Sequence, residues 1–147
     1  MRMLFDCTEL SYYDENNGHR AGVFYVALNL FNELKRRGIT FYCDFRRYYF
    51  MKNISEFKDI PIITSNSPQH RLIGRILYIA KDFSYIIRTA LTILFRLYDS
   101  HWYKTSRKSI KEIEEFDLYL SPFTPPSKDI QEAEIPRFRM LHDIIPV

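Results

Sequence analysis

Cysteine is scarce in this chain: Cys7 and Cys43 are its two, and no Cys or His lies at metal-ligand spacing. That leaves two small buried thiols in a reducing compartment, or at most one disulfide, and argues against a metal site. A signal peptide is missing too, because Met1 to Asp6 carries neither a long apolar stretch nor a small-residue cleavage site. The expected compartment is therefore the cytoplasm. No apolar run reaches the ~20 residues of a membrane span; the longest candidate, Arg71 to Tyr98, is broken by charges. The chain lacks the Gly-Lys-Ser/Thr of a P-loop, and Gly18 and Gly22 do not match dinucleotide-binding spacing. With no Ser or Cys nucleophile motif, a triad hydrolase is a poor fit, as is a zinc enzyme. Internal repeats and low-complexity tracts are absent.

What is present suits one globular domain over residues 1–147. Hydrophobic residues make up 46% and charged residues 27%, outside the disordered range. Aromatics reach 16%, nearly all Tyr and Phe, which fits either a core edge or a contact surface. The net charge of +3 is unevenly spread: between Arg71 and Lys111 nine Lys or Arg stand against Asp82 and Asp99. A localised positive surface of this kind attracts phosphate groups.

Periodicity gives a coarse order of elements. Arg2 to Leu10 reads as a strand and Ser11 to Arg20 as a polar loop. From Gly22, Val23, Val26, Ala27, Leu30, Phe31 and Leu34 recur at helical spacing, and Lys35-Arg36-Arg37 followed by Gly38 closes the helix. Ile39 to Phe45 is β-branched and aromatic, so strand, helix and strand form a βαβ unit with parallel strands. Beyond it come a weak strand at Ile60 to Thr64, a helix start at Ser67-Pro68, and a long cationic amphipathic helix over Arg71 to Tyr98. A helix over Trp102 to Glu115, a strand from Phe116 to Ser121, a short helix over Ser127 to Glu134 and a final strand from Arg137 to Ile145 complete the chain. The predicted class is α/β, with a Rossmann-like parallel sheet flanked by helices.

Three segments carry chemistry. The loop Asn16 to Gly22 precedes a helix amino terminus, where glycines and the helix dipole suit a diphosphate; an ordinary loop fits the same residues. Ser121 to Pro126 is a proline-stiffened turn after a strand, placed either to line a cleft or simply to connect. His142-Asp143 lies at a strand's carboxyl end, as a site pair or as a buried hydrogen-bonded histidine.

Together, Asn17 to Leu30, Asp117 to Phe123 and Leu141 to Pro146 resemble the amino-terminal domain of family 4 glycosyltransferases, in order and in spacing. The resemblance implies one half of a GT-B architecture, in which two Rossmann-like domains face each other across a cleft. It implies a nucleotide-sugar as substrate, no cofactor, and a glycan or lipid-linked acceptor in surface polysaccharide or glycolipid synthesis. On it, Gly18, His19, Arg20, Ala21 and Gly22 face the donor diphosphate and the acceptor. Ser121, Pro122, Phe123 and Thr124 border the acceptor, and His142 contacts the donor sugar with Asp143 shaping its turn. It names no catalytic residue. The family's donor-binding domain would follow Val147, so the expectation is a transferase half, inactive alone and completed by further sequence or a partner chain. Arg71 to Tyr98 would contact the inner face of a membrane peripherally.

Two other readings remain at this point. One is a non-catalytic remnant or scaffold that self-associates through an exposed apolar surface. The other is a nucleic-acid-binding module built on Phe45-Arg46-Arg47-Tyr48-Tyr49-Phe50, disfavoured because such a stretch after a strand is usually edge and core.

Overall fold

A computed structural model describes residues 1–12, 22–101, 107–122 and 125–139. Five strands form one sheet: β1 (Met3–Asp6), β2 (Thr40–Tyr42), β3 (Ile62–Ile63), β4 (Leu118–Ser121) and β5 (Arg137–Arg139). Their order is β3-β2-β1-β4-β5 and every pairing is parallel. The register sets Phe5 opposite both Phe41 and Leu120, and Leu120 opposite Phe138.

A parallel sheet must be covered on both faces, so neighbouring residues of its central strand enter different cores. Phe5 and Phe41 join Phe24, Ala27 and Phe31 of α1 (Gly22–Arg36) on one side. There the Phe31 ring lies 4.2 Å from Phe41 and 5.0 Å from Phe57, between centroids. Leu4, Tyr42 and Tyr119 face the other side, against Ile113 of α5 (Arg107–Glu114) and Ile130 of α6 (Lys128–Glu132). The chain is thus α/β, a five-stranded parallel sheet flanked by helices, in the manner of a Rossmann-like layout.

The first helix follows its sequence pattern closely. Ile39 N–H donates to the Leu34 carbonyl at 3.2 Å and Gly38 N–H to that of Lys35 at 3.1 Å, the two bonds of a Schellman stop. Gly38 supplies the left-handed conformation that this stop requires, at φ 67°.

Elsewhere the chain departs from periodicity. β2 ends at Tyr42 instead of Phe45, because Asp44 opens a helix, α2 (Phe45–Lys52), by accepting from Arg46 N–H at 2.8 Å. β1 likewise stops at Asp6 and gives way to a 3₁₀ turn, Thr8–Tyr12. The long helix over Arg71 to Tyr98 is two helices, α3 (Pro68–Ile79) and α4 (Tyr85–His101), separated by a 3₁₀ turn at Ala80–Asp82. Phe83 is extended, and the Ser84 carbonyl accepts from Arg88 N–H at 3.1 Å, so a cap-forming residue starts a new helix inside the run. The predicted helix residues 102–106 and strand residues 140–145 lie outside the described residues. Among those described, no helix is long and apolar enough to cross a membrane.

Candidate functional site

Because all five strands run the same way, their carboxyl ends share one rim. Ligands of open parallel sheets collect there. Asp6-Cys7-Thr8 after β1, Cys43-Asp44 after β2, and Ser121-Pro122 at the end of β4 build its centre.

The rim is tied together by polar side chains that the fold buries. Thr8 N–H donates to Asp6 Oδ1 at 2.8 Å, and Asp44 N–H donates to Thr8 Oγ1 at 2.9 Å. Tyr119 O–H donates to Asp6 Oδ2, linking β4 to β1 through side chains as well as backbone. Arg46 grips the Asp44 carboxylate with two bonds, from Nε at 2.9 Å and Nη2 at 2.8 Å. Arg47 reaches back to the 3₁₀ turn, where Nε donates to Ser11 Oγ at 3.1 Å and Nη2 to the Ser11 carbonyl. Its guanidinium also lies over the rings of Tyr12 and Phe50, 4.1 and 4.0 Å from their centroids. The chain is therefore clamped as far as Tyr12.

Burial dominates the acid-base character of the rim. It pushes the Asp6 carboxyl up to about 6, against the opposing pull of hydrogen bonds from Thr8 and Tyr119. The Tyr119 and Tyr42 hydroxyls are also driven up, by burial first and then by neighbouring carboxylates. Burial raises both thiols as well; Cys7 and Cys43 are free, buried and poorly suited to nucleophilic work. Asp6 is only 2% exposed, so its carboxylate serves to orient strands and turns.

Of the residues singled out from sequence, Gly22 opens α1 and is exposed, with nothing within 4 Å of where a Cβ would sit. Ser121 ends β4 fully buried, and the Pro122 side chain beside it is buried too. Gly18, His19, Arg20, Ala21, Phe123, Thr124, His142 and Asp143 lie outside the described residues. β1 and β4 are direct neighbours, so their carboxyl ends adjoin. β5, which leads toward His142, is the next strand out.

Sequence reasoning passes over Asp6, Thr8 and Asp44. The available signal is local: Asp44 is a cap-type residue directly before Phe45-Arg46-Arg47, a run whose sequence reading, edge and core in preference to a nucleic-acid surface, leaves the cap unremarked. Here its two arginines are engaged with Asp44 and Ser11. A separate groove of about 530 Å³ lies at the opposite rim, lined by Lys35, Gly38, Thr40, Asp59 and Pro61 among others, and takes no part in this arrangement. Among the described residues no group of three or more His, Cys, Asp or Glu side chains gathers where a metal ion could be held.

No family model, curated protein or solved structure matches this chain. The likeness to family 4 glycosyltransferases therefore rests on the quoted motifs alone.

Proposed function

We propose that this chain is the acceptor-side half of a GT-B sugar transferase, serving a nucleotide-sugar donor and a glycan or lipid-linked acceptor. The observation that carries the reading is the parallel pairing of β1 with β4, which sets side by side the carboxyl ends of the two strands that precede the first two motifs in sequence. Support also comes from Gly22, which opens α1 exposed and with no protein atom within 4 Å of where a Cβ would sit, at a helix end whose dipole favours an anion. The buried Asp6, Thr8 and Asp44 network holds the rim in shape, and the chemistry falls to residues on the loops. Donor binding in such an enzyme draws mainly on its second domain, so this chain contributes the acceptor wall and a weak diphosphate contact.

The test is an NMR titration of the isotope-labelled 147-residue chain with uridine- and guanosine-diphosphate sugars and an isoprenyl-diphosphate saccharide. Shifts confined to Gly18 to Gly22, Ser121 to Thr124 and His142 are expected at millimolar ligand. Silence toward every ligand, or shifts confined to the groove at Lys35 and Pro61, would overturn the reading.

A further inference from the structure

α4 is unusual in its setting. A helix of a globular domain turns its apolar stripe toward the core, yet none of residues 81–98 is buried. Ile86 is 78% exposed, Ile93 53%, Leu94 55%, Leu97 48% and Ile87 47%. At ~100° per residue these five side chains fall within about 120° of one another, so they form one continuous outward stripe. α4 has 17 residues. At ~1.5 Å per residue it is about 25 Å long, and with Arg88 and Arg96 on its polar side it is suited to lying along an interface rather than crossing one.

The charges specify what covers the stripe. Arg88 and Arg96 lie on the side of the helix away from the stripe, about 100° beyond Ile87 and about 60° beyond Ile93, on the polar face of an interfacial helix. Lys81 precedes the helix and Arg75 is exposed on α3, while Asp82 is the one acidic residue among described side chains from Arg71 to Tyr98. Tyr85, 72% exposed, sits at the amino end beneath the Arg88 guanidinium, a ring with a polar tip of the kind that settles at headgroup depth. A second copy of the chain fits less well, because a pair joined through the stripe would leave this cationic face uncompensated, whereas an anionic bilayer neutralises it.

We infer that α4 docks the protein on an anionic lipid bilayer, with Ile86, Ile87, Ile93, Leu94 and Leu97 entering the acyl boundary and Arg88 and Arg96 meeting headgroup phosphates. This property is independent of sugar transfer. The docking element is α4 alone: α3 is committed to the domain, with His70 and Ile73 buried and Gly74 against α2.

Vesicle flotation of the full chain tests the inference, using phosphatidylglycerol-phosphatidylcholine vesicles against phosphatidylcholine alone, with sedimentation velocity in the absence of lipid. Binding to the anionic vesicles should exceed binding to the neutral ones by about tenfold or more. The Arg88→Gln/Arg96→Gln variant should lose about tenfold. Ile86→Ser/Ile93→Ser/Leu97→Ser should abolish flotation while keeping the parent's circular dichroism spectrum, since all three side chains face solvent. No binding to either vesicle, flotation of the serine variant equal to the parent's, or a lipid-free dimer that the serine variant converts to monomer without any vesicle binding would each overturn it.

Discussion

Asp6 shows how one buried carboxyl couples the rim to pH. An aspartate in the unfolded chain titrates near ~3.9, whereas burial holds Asp6 at about 6 in the fold. Between those values the native state keeps a proton that the unfolded state has released. Its contribution to stability is therefore fully present below about 4 and is lost as pH rises through about 6, a difference of roughly 3 kcal/mol. Asn at this position cannot ionise. Urea denaturation near about pH 4 and about pH 8 should show the parent losing more stability across the window than Asp6→Asn does; parallel profiles would count against an ionising role for Asp6. Gly22 offers a contrast, because its Cβ position is open and it begins a helix. Gly22→Ala should leave stability unchanged or raise it by up to about 1 kcal/mol. Any weakening of the nucleotide-sugar shifts in that variant then reports backbone access to the ligand, with folding held constant.

Between elements, α2 and α3 meet closely at Gly74. A Cβ on Gly74 would stand 2.4 Å from the Phe45 carbonyl oxygen and 3.2 Å from the Tyr49 ring, and the nearer obstacle is backbone. His70, one turn earlier, stacks flat on the Phe45 ring at 3.6 Å and meets Ser65 Oγ at 2.7 Å through Nδ1. Gly74→Ala must push the helices apart, at a cost of about 1 to 3 kcal/mol read from a denaturation midpoint; an unchanged midpoint would mean that α3 slides freely. The same region shows the limits of periodicity as a guide. A continuous 3.6-residue pattern from Arg71 to Tyr98 marks both helices correctly as helix and as amphipathic. It is blind to the break, because Ser84 and the extended Phe83 shift the phase without interrupting the run of apolar residues. On the α3 side of the break Ile73 is buried while Leu72 and Ile79 are exposed, and on the α4 side no residue up to Tyr98 is buried.

For the molecule as a whole, stability should fall off from the centre of the sheet. β1 is paired on both sides and lies between two aromatic cores, while β5 is an edge strand whose three residues are all exposed and no residue of α4 from Tyr85 to Tyr98 is buried. Native-state hydrogen exchange should find the slowest amides in β1, β2 and β4, with β5 and α4 exchanging through local openings. Equal protection in α4 and β1 would show that the helix has a cover in solution.

Features settled within a few residues were legible in the chain: the α1 pattern closed by Gly38, the βαβ order, and the compact strand before Pro122. Caps, turns and amphipathic spacing act over one or two helical turns, so the local residues alone specify them. The place of β4 beside β1, the end of β2 at Tyr42, and the Asp6-Tyr119 link across residues 113 apart in sequence are of another kind. Each depends on which distant strand wins the pairing and on which buried donor finds which acceptor. That competition is resolved only when the sheet assembles, because a buried polar group is stable only beside its partner.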